Sequence, residues 1–179
     1  MSLVQEPNYN DYIDRLVLIL QNSTVLFPKT IGGDQNAKDL VNQVIKYDLA
    51  IAQDAPTGLG PPHIFVSTAN NPIVSDEHIG RDTRDEFGPR DMKLEFWVVC
   101  VTNQPEFAGA QQSLFNIVQA VKQTLGKNKR LEDLAGANPL AREIDRPIVT
   151  PFTNWISTEK TTLATTVVIR PNVIVNLRT

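Results

Sequence analysis

The sequence predicts an α+β fold: a mainly antiparallel sheet with its helices packed on one face, and one long strand or hairpin arm projecting. Three observations predict it. Asp91–Thr102 alternates its side chains at period 2 over an unusually long run, with Met92, Leu94, Phe96, Val98 and Cys100 on one face. The stretch after it places Leu114, Ile117, Val118, Val121 and Leu125 at helical spacing, a core-facing stripe. Thr161–Ile169 is then dense in β-branched residues. Helices and strands come in runs rather than in regular alternation, which favours helices laid on an antiparallel sheet.

The 179 residues suit one domain, 1–179, with a loose arm at 1–9 and a charged loop or hairpin arm at 74–91. Apolar content of 41% and charged content of 21% are those of a globular chain. No apolar run reaches the ~18 residues of a membrane span, and the first residues lack the basic and apolar pattern of a secretory signal. The lone Cys100 has no partner for an intrachain disulfide and reads as a small buried hydrophobe, in keeping with synthesis in a reducing cytoplasm. A net charge of −3 gives no general attraction to nucleic acid. Its distribution is uneven: residues 1–90 carry 7 Lys/Arg against 12 Asp/Glu, and residues 91–179 carry 10 against 8. Such asymmetry suits copies stacking or closing into a ring, although it also arises by chance.

Taken in order, Asn8 and Asn10 are N-cap residues for a helix over 10–22, with Tyr12, Ile13, Leu16, Val17 and Leu20 on its apolar face and Asp11 and Asp14 in its first turn. Gly32-Gly33 marks a loop, after which Asp34 or Asn36 caps an expected second helix with Leu40, Val41, Val44 and Ile45 on one face, which either runs on through Tyr47–Ile51 or gives way there to a strand. Pro56–Pro62 is a break. His63–Thr68 reads as a short strand closed by Asn70-Asn71-Pro72. Residues 73–90 are dense in charge and read as an extended hairpin arm or exposed loop. In the 91–102 strand, Lys93 and Glu95 give way to Trp97, Val99 and Val101 on the second face, so its second half is expected to be covered on both sides. Twelve extended residues span roughly 40 Å, which requires the strand to bend or to project. Thr102 or Asn103 is expected to cap the next helix, about Ala108–Leu125, with Gly126 as its C′ residue and Lys127, Lys129 and Arg130 at its negative end. One strand is expected near Ala141–Val149, and after Thr161–Ile169 a last edge strand over Val173–Leu177.

The search for chemistry returns no site. Asp76, Glu77, His78, Asp82 and Asp85 are the strongest acid/base candidates, yet a loop so charged reads as solvated rather than as the dry pocket that separates pKa values. His63 and His78 stand fifteen residues apart with no metal-ligand spacing. No G-x-S-x-G occurs, Gly58-Leu59-Gly60 lacks the Lys-Ser/Thr of a phosphate loop, and Lys127–Arg130 is explained by a helix C-terminus. Trp97 and Trp155 read as core or interface residues. Neither a cofactor nor a metal is expected.

Several stretches together resemble the tail terminator (tail completion) proteins of long-tailed phages and related proviruses. They are Pro62–Val66 closing at Asn71-Pro72-Ile73, Ile79–Asp85, Leu94–Val99, the Ala110–Leu125 helix and the Thr161–Ile169 strand. The resemblance lies in element order and texture more than in a diagnostic motif, and is weakest over 34–60 and 131–158. It implies a non-enzymatic protomer of a homo-oligomeric ring, typically a hexamer, made in the host cytoplasm and carried in the virion. Its implied partners are further copies of itself, the tail-tube protein and the head-connector or neck protein. It implies no membrane partner and no specific nucleic-acid binding, only DNA passing through the ring. A neck adaptor, a tail-tube protein, and more distantly a small-ligand binder or enzyme are the alternatives. Within this frame the expected working surface is 76–91, with Asp76, Glu77, Arg81, Asp82, Arg84, Asp85 and Arg90 setting register against a neighbour. The plainer reading is a solvated loop.

Overall fold

Fifteen residues, Arg90–Gln104, form the central strand β3, and both helices pack on the face that carries Met92, Leu94, Phe96, Val98, Cys100 and Thr102, all buried. The computed structural model describes residues 7–47, 62–78, 90–156 and 160–175. The elements are α1 (Tyr9–Gln21), β1 (Gln43–Lys46), β2 (His63–His78), β3, α2 (Phe107–Lys127), β4 (Glu143–Ile144), β5 (Ile148–Val149), β6 (Thr153–Ile156), β7 (Thr161–Ile169) and β8 (Pro171–Val175). They make a curled, mainly antiparallel sheet in the order β1-β2-β3-β7-β5, so the α+β expectation holds. One parallel pair, β1 with β2, is the exception.

β3 is long because its partners change along it. β7 pairs with Phe96–Gln104 and β8 with Arg90–Lys93. The register continues unbroken from the Phe96–Ile169 pair to the Lys93–Asn172 pair, so β7 and β8 are one strand interrupted at Arg170-Pro171, where proline supplies no N–H. Arg170 donates from Nε and Nη2 to Glu95 Oε2, both at 2.9 Å, across this interruption, and Glu95 Oε1 accepts from the Trp97 indole at 3.0 Å. On the other side, β2 takes seven steps from Thr68 to Ser75 while β3 takes three from Phe96 to Lys93. The surplus is a bulge around Asn70–Pro72, and it bends the strand rather than ending it. The strand expected to close at Asn70 therefore runs on to His78. An arm projecting beyond it would fall on 79–89, outside the described residues.

The second face of β3 corrects one expectation. Trp97, Val99 and Val101 are half-buried, not covered, because both helices lie on the opposite face. Cross-strand neighbours Ser67, Phe65 and His63 on β2, and Val168, Thr166 and Ala164 on β7, shield them only from the side.

α1 forms as its sequence dictates. Asn8 Oδ1 accepts from the Asn10 N–H at 3.2 Å, Asn8 Nδ2 donates to Asp11 at 2.8 Å, and Tyr12, Ile13, Leu16, Ile19 and Leu20 are buried. The Tyr12 ring stacks on Phe96 at 5.6 Å, a contact worth ~0.5–1.5 kcal/mol beyond burial. Where a second helix was expected, the chain makes turns through 24–40 and then β1. Val44 is buried while Ile45 lies on the other face, so two of the four residues that fit a helical stripe fall on opposite sides of a strand, and Leu40 and Val41 precede it. The turn is pinned by Asp39, whose carboxylate accepts from the N–H groups of Lys29 and Thr30 and from the Thr30 hydroxyl. The Thr30 hydroxyl above all, with those N–H groups, holds the Asp39 carboxyl below its ordinary range.

α2 starts after Glu106, which makes no side-chain cap; Thr102, an expected cap, lies inside β3 and donates to Ser113 Oγ at 3.0 Å. Gly126 lies within the last turn, with no positive φ, rather than beyond it as a C′ residue. The two helices are tied at their ends by a buried hydroxyl pair. Thr124 gives its proton to Ala120 O at 2.8 Å, so Ser23 must donate to Thr124 Oγ1 at 2.6 Å while Ser23 Oγ accepts from the Leu26 N–H. The expected strand at 141–149 resolves into β4 and β5, two residues each, and β6 was not anticipated. β8 was expected at an edge, yet it lies between β3 and β4.

Candidate assembly surfaces

The described part of the expected working surface lies at the far end of the β2–β3 pair. Asp76 and Arg90 meet there across the strands, Oδ2 to Nη2 at 2.5 Å, with 24% and 27% of their side chains exposed. Arg90 is thus engaged within its own chain. Glu77 is exposed and stands opposite Asp91 in the ladder, on the face of the strand pair away from that ion pair. Arg81, Asp82, Arg84 and Asp85 lie outside the described residues.

The backbone of β2 offers more than its charges. β1 pairs only with His63–Val66, so from Ser67 to His78 the outer edge of β2 has no strand beside it among the described residues. Such an edge presents a row of unpaired N–H and C=O groups and is a template for another strand or surface. Val74 stands on this stretch 46% exposed.

A second surface lies across the sheet, beside α2 and β5. Phe115 is 58% exposed, and with Val149, Pro151 and Phe152 it lines a shallow apolar groove of about 240 Å³ whose base is Leu114, Val118 and Thr165. Phe107 extends the patch, its ring 6.2 Å from that of Phe152. Thr150 fixes the segment: its carbonyl accepts from the Thr165 hydroxyl at 2.6 Å and its N–H donates to Thr166 O at 2.9 Å. A contiguous exposed apolar patch marks an interaction site more often than scattered surface residues do. Sequence reasoning missed this surface. The readable signal was Phe115, an aromatic residue one step off the Leu114 stripe and among the glutamines of the solvent face.

The acid/base and metal candidates do not converge. His63 is buried on the open face of the sheet, edge-on to Phe65 at 4.5 Å. Cys100 is buried on the opposite face, where desolvation pushes its thiol up to about 12. Among the described residues no three of His, Cys, Asp and Glu are grouped to hold a metal ion, and no helix is long and apolar enough to cross a membrane. No protein-family model matches the sequence, and no curated protein matches it.

Proposed function

We propose that this chain is a structural virion protein: a tail terminator whose copies close into a ring that caps the tail tube and joins it to the head connector. The observation that carries the reading is the pair of unlike surfaces toward opposite ends of the sheet's strand order. One is the open edge of β2 with Val74, running toward the charged 79–89 segment; the other is the apolar patch of Phe115, Val149 and Phe152. A head-to-tail ring needs two different faces on each protomer, one for each neighbour, whereas a two-fold dimer needs one. In this reading the patch of one copy seats against the β2 edge of the next, and no chemistry is required of either.

Light scattering on a sizing column, with negative-stain imaging, tests the assignment. Closed rings of a single size, six-fold in number, support it. Long tubes identify a tail-tube protein instead, and a monomer that stays monomeric with purified tail tubes present rejects the ring. Phe115→Glu combined with Phe152→Glu is expected to cost about 1–2 kcal/mol of stability, since both rings are largely exposed and only the Phe107–Phe152 contact is lost, and to abolish the ring.

A further inference from the structure

A groove of about 410 Å³ runs between the last turn of α2 and the segment joining β4 to β5, its lining shared with neither surface of the proposed ring. Its floor is apolar, made by Leu125, Ile144 and Pro147, and its rim carries Lys122, Lys129 and Arg146. These three cations come from the body of α2, from the turn after it, and from the β4–β5 connection. Among the described residues none of the three has an ion pair or a side-chain hydrogen bond. A helix dipole accounts for Lys127 and Lys129 at the C-terminus of α2, but not for Lys122 before them or for Arg146 on another element. The acidic side chain lining the groove, Asp145, is already engaged. It takes the Lys93 ammonium at 2.9 Å and the Asn172 amide at 2.8 Å, and these partners, Lys93 first, hold its carboxyl below the ordinary range. The groove therefore presents three uncompensated positive charges around an apolar floor.

We infer that this groove docks an acidic peptide segment of a partner protein, with one apolar side chain on the Leu125–Ile144–Pro147 floor and flanking carboxylates on Lys122, Lys129 and Arg146. Charge complementarity selects the sign of the occupant, and the floor selects its kind. A phosphate backbone would use the cations and leave the floor unused, and the groove has no aromatic ring on which a base could stack. Extended acidic peptide supplies both halves at the spacing of successive side chains.

The test is fluorescence anisotropy on the full chain with a fluorescein-labelled pentapeptide of four glutamates around a central leucine. Saturable binding is expected, weakening as salt is raised because the rim is open to solvent. Lys122→Glu, Lys129→Glu and Arg146→Glu should each weaken it roughly two- to tenfold. Lys38→Glu, the same change in net charge on the loop before β1, should leave it unchanged. Gly126→Leu tests the groove without touching its charge: a Cβ at Gly126 meets nothing within 4 Å, so the added side chain fills groove space and should weaken binding at least fivefold. The proposal is overturned if binding does not saturate, if a glutamine version of the peptide binds as well, or if a thymidine oligonucleotide binds more tightly at the same rim. It is equally overturned if Gly126→Leu, with an unchanged melting curve, binds like the parent.

Discussion

Cys100 sits in the middle of β3 with its side chain buried on the helix face, and desolvation pushes its thiol up from 9.0 to about 12. Two consequences follow at the scale of this one residue. The thiolate is the reactive form, so at about pH 8 the folded chain should resist an aromatic disulfide reagent over many minutes, while denaturant should release one reactive thiol at once. Rapid labelling of the folded chain would contradict the burial. The second consequence is a stability limb at alkaline pH. Because the folded pKa is raised, the contribution is fully present below the unfolded value and is lost as pH rises from 9.0 toward about 12, where the unfolded chain releases the proton first. Denaturant midpoints should fall over that window, and less steeply in Cys100→Ala once its lower overall stability is allowed for. Elsewhere, Arg15 shows what the sequence concealed at this scale. Its guanidinium donates to Leu131 O and Asn138 O, both at 3.1 Å, and these are the two non-glycine residues described with positive φ. A side chain on the first helix thus braces a strained loop more than a hundred residues away, and no local pattern announces such a pair.

Elements were legible where one physical signal was strong. The Leu114–Leu125 stripe, the alternation in β3 and the β-branched run of β7 each appear where the sequence placed them. They were not legible where two patterns fit the same residues. Val41, Val44 and Ile45 satisfy helical spacing over one turn, yet pairing of β1 with Gln43 opposite His63 puts Val44 and Ile45 on opposite sides of a strand. Pro72 looked like a strand end, but on an edge at a bulge its missing N–H costs little. β4 to β6 are too short to carry a period, and tertiary pairing alone defines them. Two glycines turn this into a prediction with opposite signs. Gly126 was expected just beyond the helix as a C′ residue, a position that commonly takes positive φ and there disfavours alanine. Found within α2 with free space for a Cβ, Gly126→Ala should instead stabilise by about 0.3–1 kcal/mol. Gly32→Ala should destabilise by about 1–3 kcal/mol, because its Cβ would lie 2.5 Å from the Pro28 carbonyl oxygen in a turn closed by the Gly32 N–H to Phe27 O bond at 2.9 Å. Urea midpoints moving in the same direction for both variants would reject these assignments.

At the scale of the whole molecule, the charged 76–91 stretch stood out in the sequence and the Phe115–Phe152 patch did not, since the patch is assembled from α2 and the segment after β5 only in the fold. The patch and the β2 edge lie toward opposite ends of the strand order, and two distinct surfaces make a sharper demand than ring size does. In a head-to-tail assembly each contact uses one surface of each kind, so a protomer damaged at the patch keeps a working edge, and a protomer damaged at the edge keeps a working patch. Phe115→Glu with Phe152→Glu provides the first; Val74→Asp, a charge set on the exposed outer edge of β2, provides the second. Each variant alone should be monomeric. Mixed in equal amounts, they should form a one-to-one dimer and stop there, because the remaining edge and the remaining patch of that pair are the damaged ones. A two-fold interface built from one surface predicts no such rescue: its two damaged forms stay apart, or each still pairs with itself. Native mass spectrometry of the mixture distinguishes these outcomes, with a heterodimer and no larger species expected, and with unrescued monomers or mixed rings counting against the head-to-tail arrangement.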